Sequence, residues 1–137
     1  MAVVDDILAE RDCGVVHCGF SRFAHKDILE LAREFGLHDD PSAFAPIDAS
    51  NAAALVASIL HKDMAYSHPM MLEERANELA GQFFEQFGAG ATCFSNGWTG
   101  WETGSTGWHP ATDATFDTGV LVVGHDRSGC IWVEDED

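Results

Sequence analysis

Apolar positions recur at helical spacing through most of the chain and give way to strand-like runs near its end. Residues 2–12 predict a short helix, with Val3, Val4, Ile7 and Leu8 on one side and Asp5, Asp6 and Glu10 on the other. Residues 13–20, CGVVHCGF, fit either a short strand or a turn, and Ser21 is placed to cap the next helix. Ile28, Leu31, Ala32 and Phe35 predict that helix over 25–35. Gly36 stands where a left-handed residue would end it, and Leu37 where a side chain would close over the last turn. Asp39, Asp40, Pro41 and Pro46 break regular structure, so 38–49 reads as a connector. Ser50 is a suitable N-cap for a helix over 51–65, whose stripe is Ala52, Leu55, Val56, Ile59 and Leu60, continuing to Met64. Pro69 suits the first position of the next helix, 69–87. That helix has the strongest periodicity, through Leu72, Ala76, Leu79, Ala80, Phe83, Phe84 and Phe87. It is expected to be the central core helix, packed on the strand at 120–123 and ended by Gly88 and Gly90.

Residues 91–95 fit a short strand. TFDTGVLVVG at 115–124 and CIWVE at 130–134 predict two further strands joined by HDRSG, a connection of hairpin length. The first of these is continuously apolar at 120–123, so both of its faces should be covered. The expected fold class is α+β: N-terminal helices packed on a small antiparallel sheet with a C-terminal β-hairpin, in a single domain spanning 1–137. Between the core helix and the hairpin lies NGWTGWETGSTGWHPATDATFD, which holds Trp98, Trp101 and Trp108 among glycine, serine and threonine. Those rings either fold back as lids over the core or form a contact surface, a role tryptophan fills often because it offers a large area with few rotors.

Charge narrows the functional classes. Seven basic and 23 acidic residues give a formal charge of −16. Nucleic-acid binders need clustered Lys and Arg, so direct DNA or RNA binding and an anionic membrane surface are disfavoured. A basic protein, a metal ion or a cationic ligand is the favoured partner. The N-terminus has no basic n-region and no apolar run reaches the length of a membrane span, which predicts a cytoplasmic chain. Cys13, Cys18, Cys93 and Cys130 are then reduced thiols.

Catalytic and metal signatures are weak. Gly88-Ala89-Gly90 follows a helix rather than a strand and lacks the third glycine of a dinucleotide loop. No P-loop, G-x-S-x-G or H-E-x-x-H pattern occurs, and His61 and Lys62 are adjacent where a phospholipase D signature separates them by one residue. Cys13, His17 and Cys18 form only one loose ligand pair where structural zinc sites bring two. No EF-hand loop is present. A Cys–His nucleophile, or an acid–base site at His61, Asp63, Tyr66 and His68, has nothing in the spacing to assemble it. The expectation is therefore no catalytic residue, no cofactor and no metal.

The acids are more informative. From Ala76 to the end there are ten acids and one base, Arg127, and the chain closes on Glu134, Asp135, Glu136 and Asp137. Trp98, Trp101 and Trp108 with Asp113, Asp117, Glu134 and Asp135 make the expected partner-binding patch, aromatic anchors surrounded by carboxylates. With its TFDTGVLVVG strand and closing CIWVEDED, this small acidic α+β chain resembles the immunity proteins of bacterial toxin systems. The resemblance implies a non-enzymatic inhibitor of a cognate toxin, often a basic nuclease, and carries no residue assignments. DNA-mimic inhibitors are similar in charge. The competing class is a small enzyme or ligand-binding domain with a His, Cys and carboxylate pocket between hairpin and core helix. Homodimerisation through a strand edge is compatible with either.

Overall fold

The structure is a computed structural model that describes residues 2–23, 25, 27–98 and 108–136. In chain order the elements are α1 (Ala2–Glu10), β1 (Val15–Ser21), α2 (Ile28–Glu34), a 3-10 turn (Pro41–Ala43), β2 (Ala45–Ile47), α3 (Ala49–His61), α4 (Glu73–Glu85), β3 (Thr92–Ser95), β4 (Phe116–Val123) and β5 (Ser128–Asp135). The five strands form one antiparallel sheet in the order β1-β5-β4-β3-β2. Its centre is the expected hairpin, with Val123 opposite Ser128 and Phe116 opposite Asp135. The fold is α+β, but its strands are not confined to the C-terminal half. CGVVHCGF resolves as β1, which pairs with the end of the chain, Val16 opposite Val133. The connector contains β2, opposite β3. Pro46 is tolerated there because β2 is the edge strand of the sheet among the described residues.

Alternation along the hairpin sends side chains into two cores. Val120, Val122, Ile131 and Val133 face a cluster built with Val3, Ile7, Val56, Ile59, Leu79 and Phe83 of α1, α3 and α4. Leu121, Cys130 and Trp132 face the other side, where Leu31 and Ala32 of α2, Leu37 and Ala43 cover them. Continuous apolar strands are what such two-sided burial requires. Phe83 stacks on Phe20 of β1 with centroids 5.4 Å apart and meets Phe87 edge-on at 5.3 Å. The helix lying over β3 and β4 is α3, while α4 packs on α3 and α1.

Caps fix where the helices begin and end. Asp27, rather than Ser21, caps α2 through the Leu29 N–H at 2.9 Å; Ser21 is the last residue of β1. At the other end Gly36 is left-handed at φ +78. The Gly36 and Leu37 N–H groups return to the carbonyls of Arg33 and Ala32, a Schellman closure under the buried Leu37. Asp48, two residues before the expected Ser50, caps α3 through the Asn51 N–H at 2.8 Å. The start of α4 corrects a larger expectation. Pro69 pairs with Lys62 in an isolated bridge, and the helix begins only at Glu73. Leu72, expected in the core stripe, is 76% exposed.

One ion pair crosses the whole chain. The Arg11 guanidinium donates to both Asp135 oxygens, at 3.1 and 2.8 Å, to the Ile59 carbonyl at 2.7 Å and to the Cys13 carbonyl at 2.7 Å. Asp135 also accepts the Met64 N–H at 2.8 Å. Both side chains are buried. Gly14 is left-handed at φ +71, and a Cβ there would lie 2.3 Å from the Glu134 carbonyl oxygen, so only glycine lets β1 start this close to β5.

Two substitutions probe this packing. Phe83→Ala should cost about 3–5 kcal/mol in denaturant unfolding, while Leu72→Ala should stay within about 0.5 kcal/mol of the parent. Asp135→Asn should cost about 3–5 kcal/mol by leaving Arg11 buried without its countercharge, and an apolar pair, Arg11→Met with Asp135→Leu, should recover only part of that loss, because the Ile59 carbonyl and the Met64 N–H lose their partners.

Candidate functional site

The residues expected to form an acidic and aromatic patch separate into different environments. Asp117, at the start of β4, is fully buried. Its carboxyl accepts from the Ala111 N–H at 3.0 Å, the Thr112 N–H at 3.3 Å, the Thr112 hydroxyl at 3.0 Å, the Asn96 amide at 3.1 Å and the Trp132 indole N–H at 3.0 Å. Five donors occupy its two oxygens, so it joins β4, β5 and the segments at 96 and 111–112 instead of facing a partner. Asp135 is equally enclosed by Arg11 and the Met64 N–H. Neither supplies surface charge, which corrects the expectation for both. Glu134 is half-buried and bonds His17 Nε2 at 2.5 Å. Asp113 is the one acid of the four that stands fully outside, 98% exposed, with His38 Nε2 at 3.1 Å.

The tryptophans divide as well. Trp98 is 8% exposed and belongs to the larger core cluster. With Ile47 and Leu55 it walls an apolar cleft of about 460 Å³ between β2 and α3. Trp108 is half-buried and stacked on Phe116 at 5.9 Å. Trp101 lies outside the described residues. For Trp98 and Trp108 the lid reading describes the placement.

Exposed charge gathers elsewhere. On α1 and α4, which pack side by side, Asp5, Glu73, Glu74, Glu78 and Glu85 are exposed and Asp6 and Glu10 half-exposed. Arg75 sits among them, donating to Glu10 at 2.9 and 2.6 Å and to Asp6 at 3.4 Å, with Glu78 as a further partner. Hydrogen bonding to Arg75 lowers the Glu10 pKa, and the same bond raises that of Arg75. Side-chain and backbone donation from Ser42 lowers that of Asp40.

The strongest converging polar group outside these is Ser21, His25, Glu30 and Glu34. Ser21 Oγ lies 3.2 Å from His25 Nε2 and donates to Glu34 at 2.9 Å; His25 Nε2 is itself 2.9 Å from the same Glu34 oxygen, and Nδ1 is 3.6 Å from Glu30. A nucleophilic serine needs the imidazole lone pair. Here Nε2 faces a carboxylate, which takes its N–H, and the serine proton goes to that carboxylate too. His61 and His68 do not converge either. His61 Nδ1 bonds the Met71 carbonyl at 2.7 Å, while the Asp63 carboxyl binds backbone N–H groups. Among the described residues no three His, Cys, Asp or Glu side chains are grouped to hold a metal ion, and no helix is long and apolar enough to cross a membrane. Tyr66, 70% exposed, belongs to a surface that pattern reading passed over; its signal was the break between two strongly periodic helices.

No protein-family model matches the chain, and no curated protein or solved structure matches it.

The cysteines are free thiols in unequal surroundings: Cys13 exposed, Cys18 half-buried, Cys93 and Cys130 buried. Burial pushes the Cys18 thiol up to about 12 and raises Cys93 and Cys130 as well. The thiolate is the reactive form. Native protein titrated with an aromatic disulfide reagent near pH 8 should therefore show one fast thiol, abolished by Cys13→Ser, and three that react only after unfolding. Fast labelling of a second thiol would contradict this assignment.

Proposed function

We propose that this chain is an acidic binding protein that neutralises a basic protein partner by occluding it, and that the partner is a toxin, with a nuclease favoured, as the resemblance to immunity proteins implies. One observation carries the reading: the fold leaves most of its described acids exposed or half-exposed and commits three of its seven cations to ion pairs within the chain. Among the described acids only Asp63, Asp117 and Asp135 are buried. Of the cations, Arg11 is enclosed by Asp135, Arg33 bonds Asp39 at 3.0 Å, and Arg75 is shared among Glu10, Asp6 and Glu78. The surface left to solvent is strongly negative, which repels nucleic acid and steers a basic protein toward the chain. Stability does not require such a surface, since like charges oppose compaction.

Co-expression with the protein encoded beside this chain tests the reading. That product should be harmful alone and harmless together with this chain. Association of the purified pair should slow as salt shortens the Debye length from about 10 Å at 0.1 M to about 3 Å at 1 M. A product that is harmless alone, or the lack of a complex at low salt, would sink the proposal.

A further inference from the structure

The turn between α3 and α4 is tied down on its inner side and apolar on its outer side. The Asp63 carboxyl accepts the Tyr66 and His68 N–H groups. The Ser67 N–H donates to the Asp63 carbonyl at 3.2 Å, the Asp63 N–H to the His68 carbonyl at 3.1 Å, and the Met70 N–H to the His61 carbonyl at 2.8 Å. These bonds hold Ser67 at φ +55, the one non-glycine residue with positive φ among the described residues. Such a conformation persists only where its surroundings over-determine it, and it is common at ligand clamps. Tyr66 is 70% exposed and Leu72, just beyond the turn, 76%. They are the two most exposed large hydrophobic side chains among the described residues.

We propose that this turn is the docking surface for the basic protein partner, with Tyr66 and Leu72 as its apolar anchors. The inference rests on the reading that the partner is basic, and charge complementarity selects that occupant. Asp12 joins Tyr66, His68 and Met70 around a concavity of about 500 Å³, and Glu73 and Glu74 follow Leu72 directly. All three carboxylates are exposed, whereas the turn's one permanent cation, Lys62, is half-buried. An exposed aromatic sharing a concavity with Asp12, followed by two exposed glutamates at the start of α4, suits a surface rich in Lys and Arg, whose cations can also approach the tyrosine face. Because the turn is already ordered, docking immobilises little further chain.

Cys13 lines the same concavity and provides the handle for a test. The full chain carrying a benzophenone maleimide on Cys13 is irradiated in cells of its native host. The captured protein is identified by mass spectrometry, purified, and measured against unlabelled chain on a biosensor. The expected partner has a positive net charge. Tyr66→Ser and Leu72→Ser should each speed dissociation about 10-fold or more, while Tyr66→Phe, which keeps the ring, should stay within about 3-fold. Neutralising the rim with Asp12→Asn, Glu73→Gln and Glu74→Gln should instead slow association, and Phe23→Ser, an exposed hydrophobic outside the turn, should leave both rates unchanged. Unfolding midpoints matching the parent exclude misfolding as the cause. If a basic partner binds the parent but all the turn variants bind equally well, the surface lies elsewhere and the functional reading survives. If the chain captures only an acidic protein, a second copy of itself or nothing, the docking surface is overturned. If, in addition, no basic protein forms a complex with the parent, both readings fall.

Discussion

The fold depends on closing its two ends, and the Arg11–Asp135 pair does this. One guanidinium holds the last residue of β5, a carbonyl in the last turns of α3 and the link between α1 and β1. Asp135 reaches back to the backbone just beyond α3. Removing two charges from water is costly, and the cost is offset here by the backbone groups the pair satisfies as well as by the charge attraction itself. The ion pair adds direction. Its bidentate geometry accepts one register of β1 against β5, and a slip of one residue would turn every side chain of the edge strand to the wrong core. Around it, no described buried side-chain polar atom lacks a hydrogen-bond partner.

Asp117 plays the matching part on the other face of the sheet. Its oxygens gather donors from Asn96, from the loop at 111–112 and from the indole of Trp132, the largest fully buried side chain. The acidic composition is thus used in two ways. A few carboxylates organise backbone inside the fold, Asp63 in a turn, Asp117 between loop and sheet, Asp135 between termini. The other described acids are exposed or half-exposed, and repulsion among those of α1 and α4 is relieved where Arg75 bridges the two helices.

Much of the helical layer was legible because burial imposes a period. The stripe from Ala52 to Leu60 is buried as spaced, and Gly36 ends α2 through its positive φ. The hairpin was legible from its apolar runs and short connection. Pairing between β1 and β5 was not, since contacts so distant in sequence leave no local pattern. Asp117 was misplaced because an acid at the start of the hairpin, beside the tryptophan segment, reads as surface charge, and Asp135 because it stands in the closing run of acids. Strand alternation held the information that both are buried. Asp117 shares its face with Leu121, and Asp135 shares its face with Ile131 and Val133. The indole of Trp132, buried on the same side as Asp117, also needed an acceptor. Pro69 misled for a related reason: proline suits a helix start, but the Asp63 bonds place it in a bridge first.

The same carboxyl chemistry separates steering from holding. Charge acts over about a Debye length and is largely screened at the cell's ionic strength beyond about 8 Å, so it governs encounter more than residence. Residence requires apolar area that is already ordered. The tryptophans of the glycine-rich segment cannot all provide it, because Trp98 is committed to the core and Trp108 is stacked on Phe116. Asp63, one of the few inward-facing acids, orders a turn that leaves Tyr66 exposed, and Glu73 and Glu74 begin the next helix, where the positive end of its dipole favours them. The acids that favour the start of α4 therefore also stand next in the chain to its exposed leucine, so one short stretch serves local helix stability and places negative charge beside apolar area.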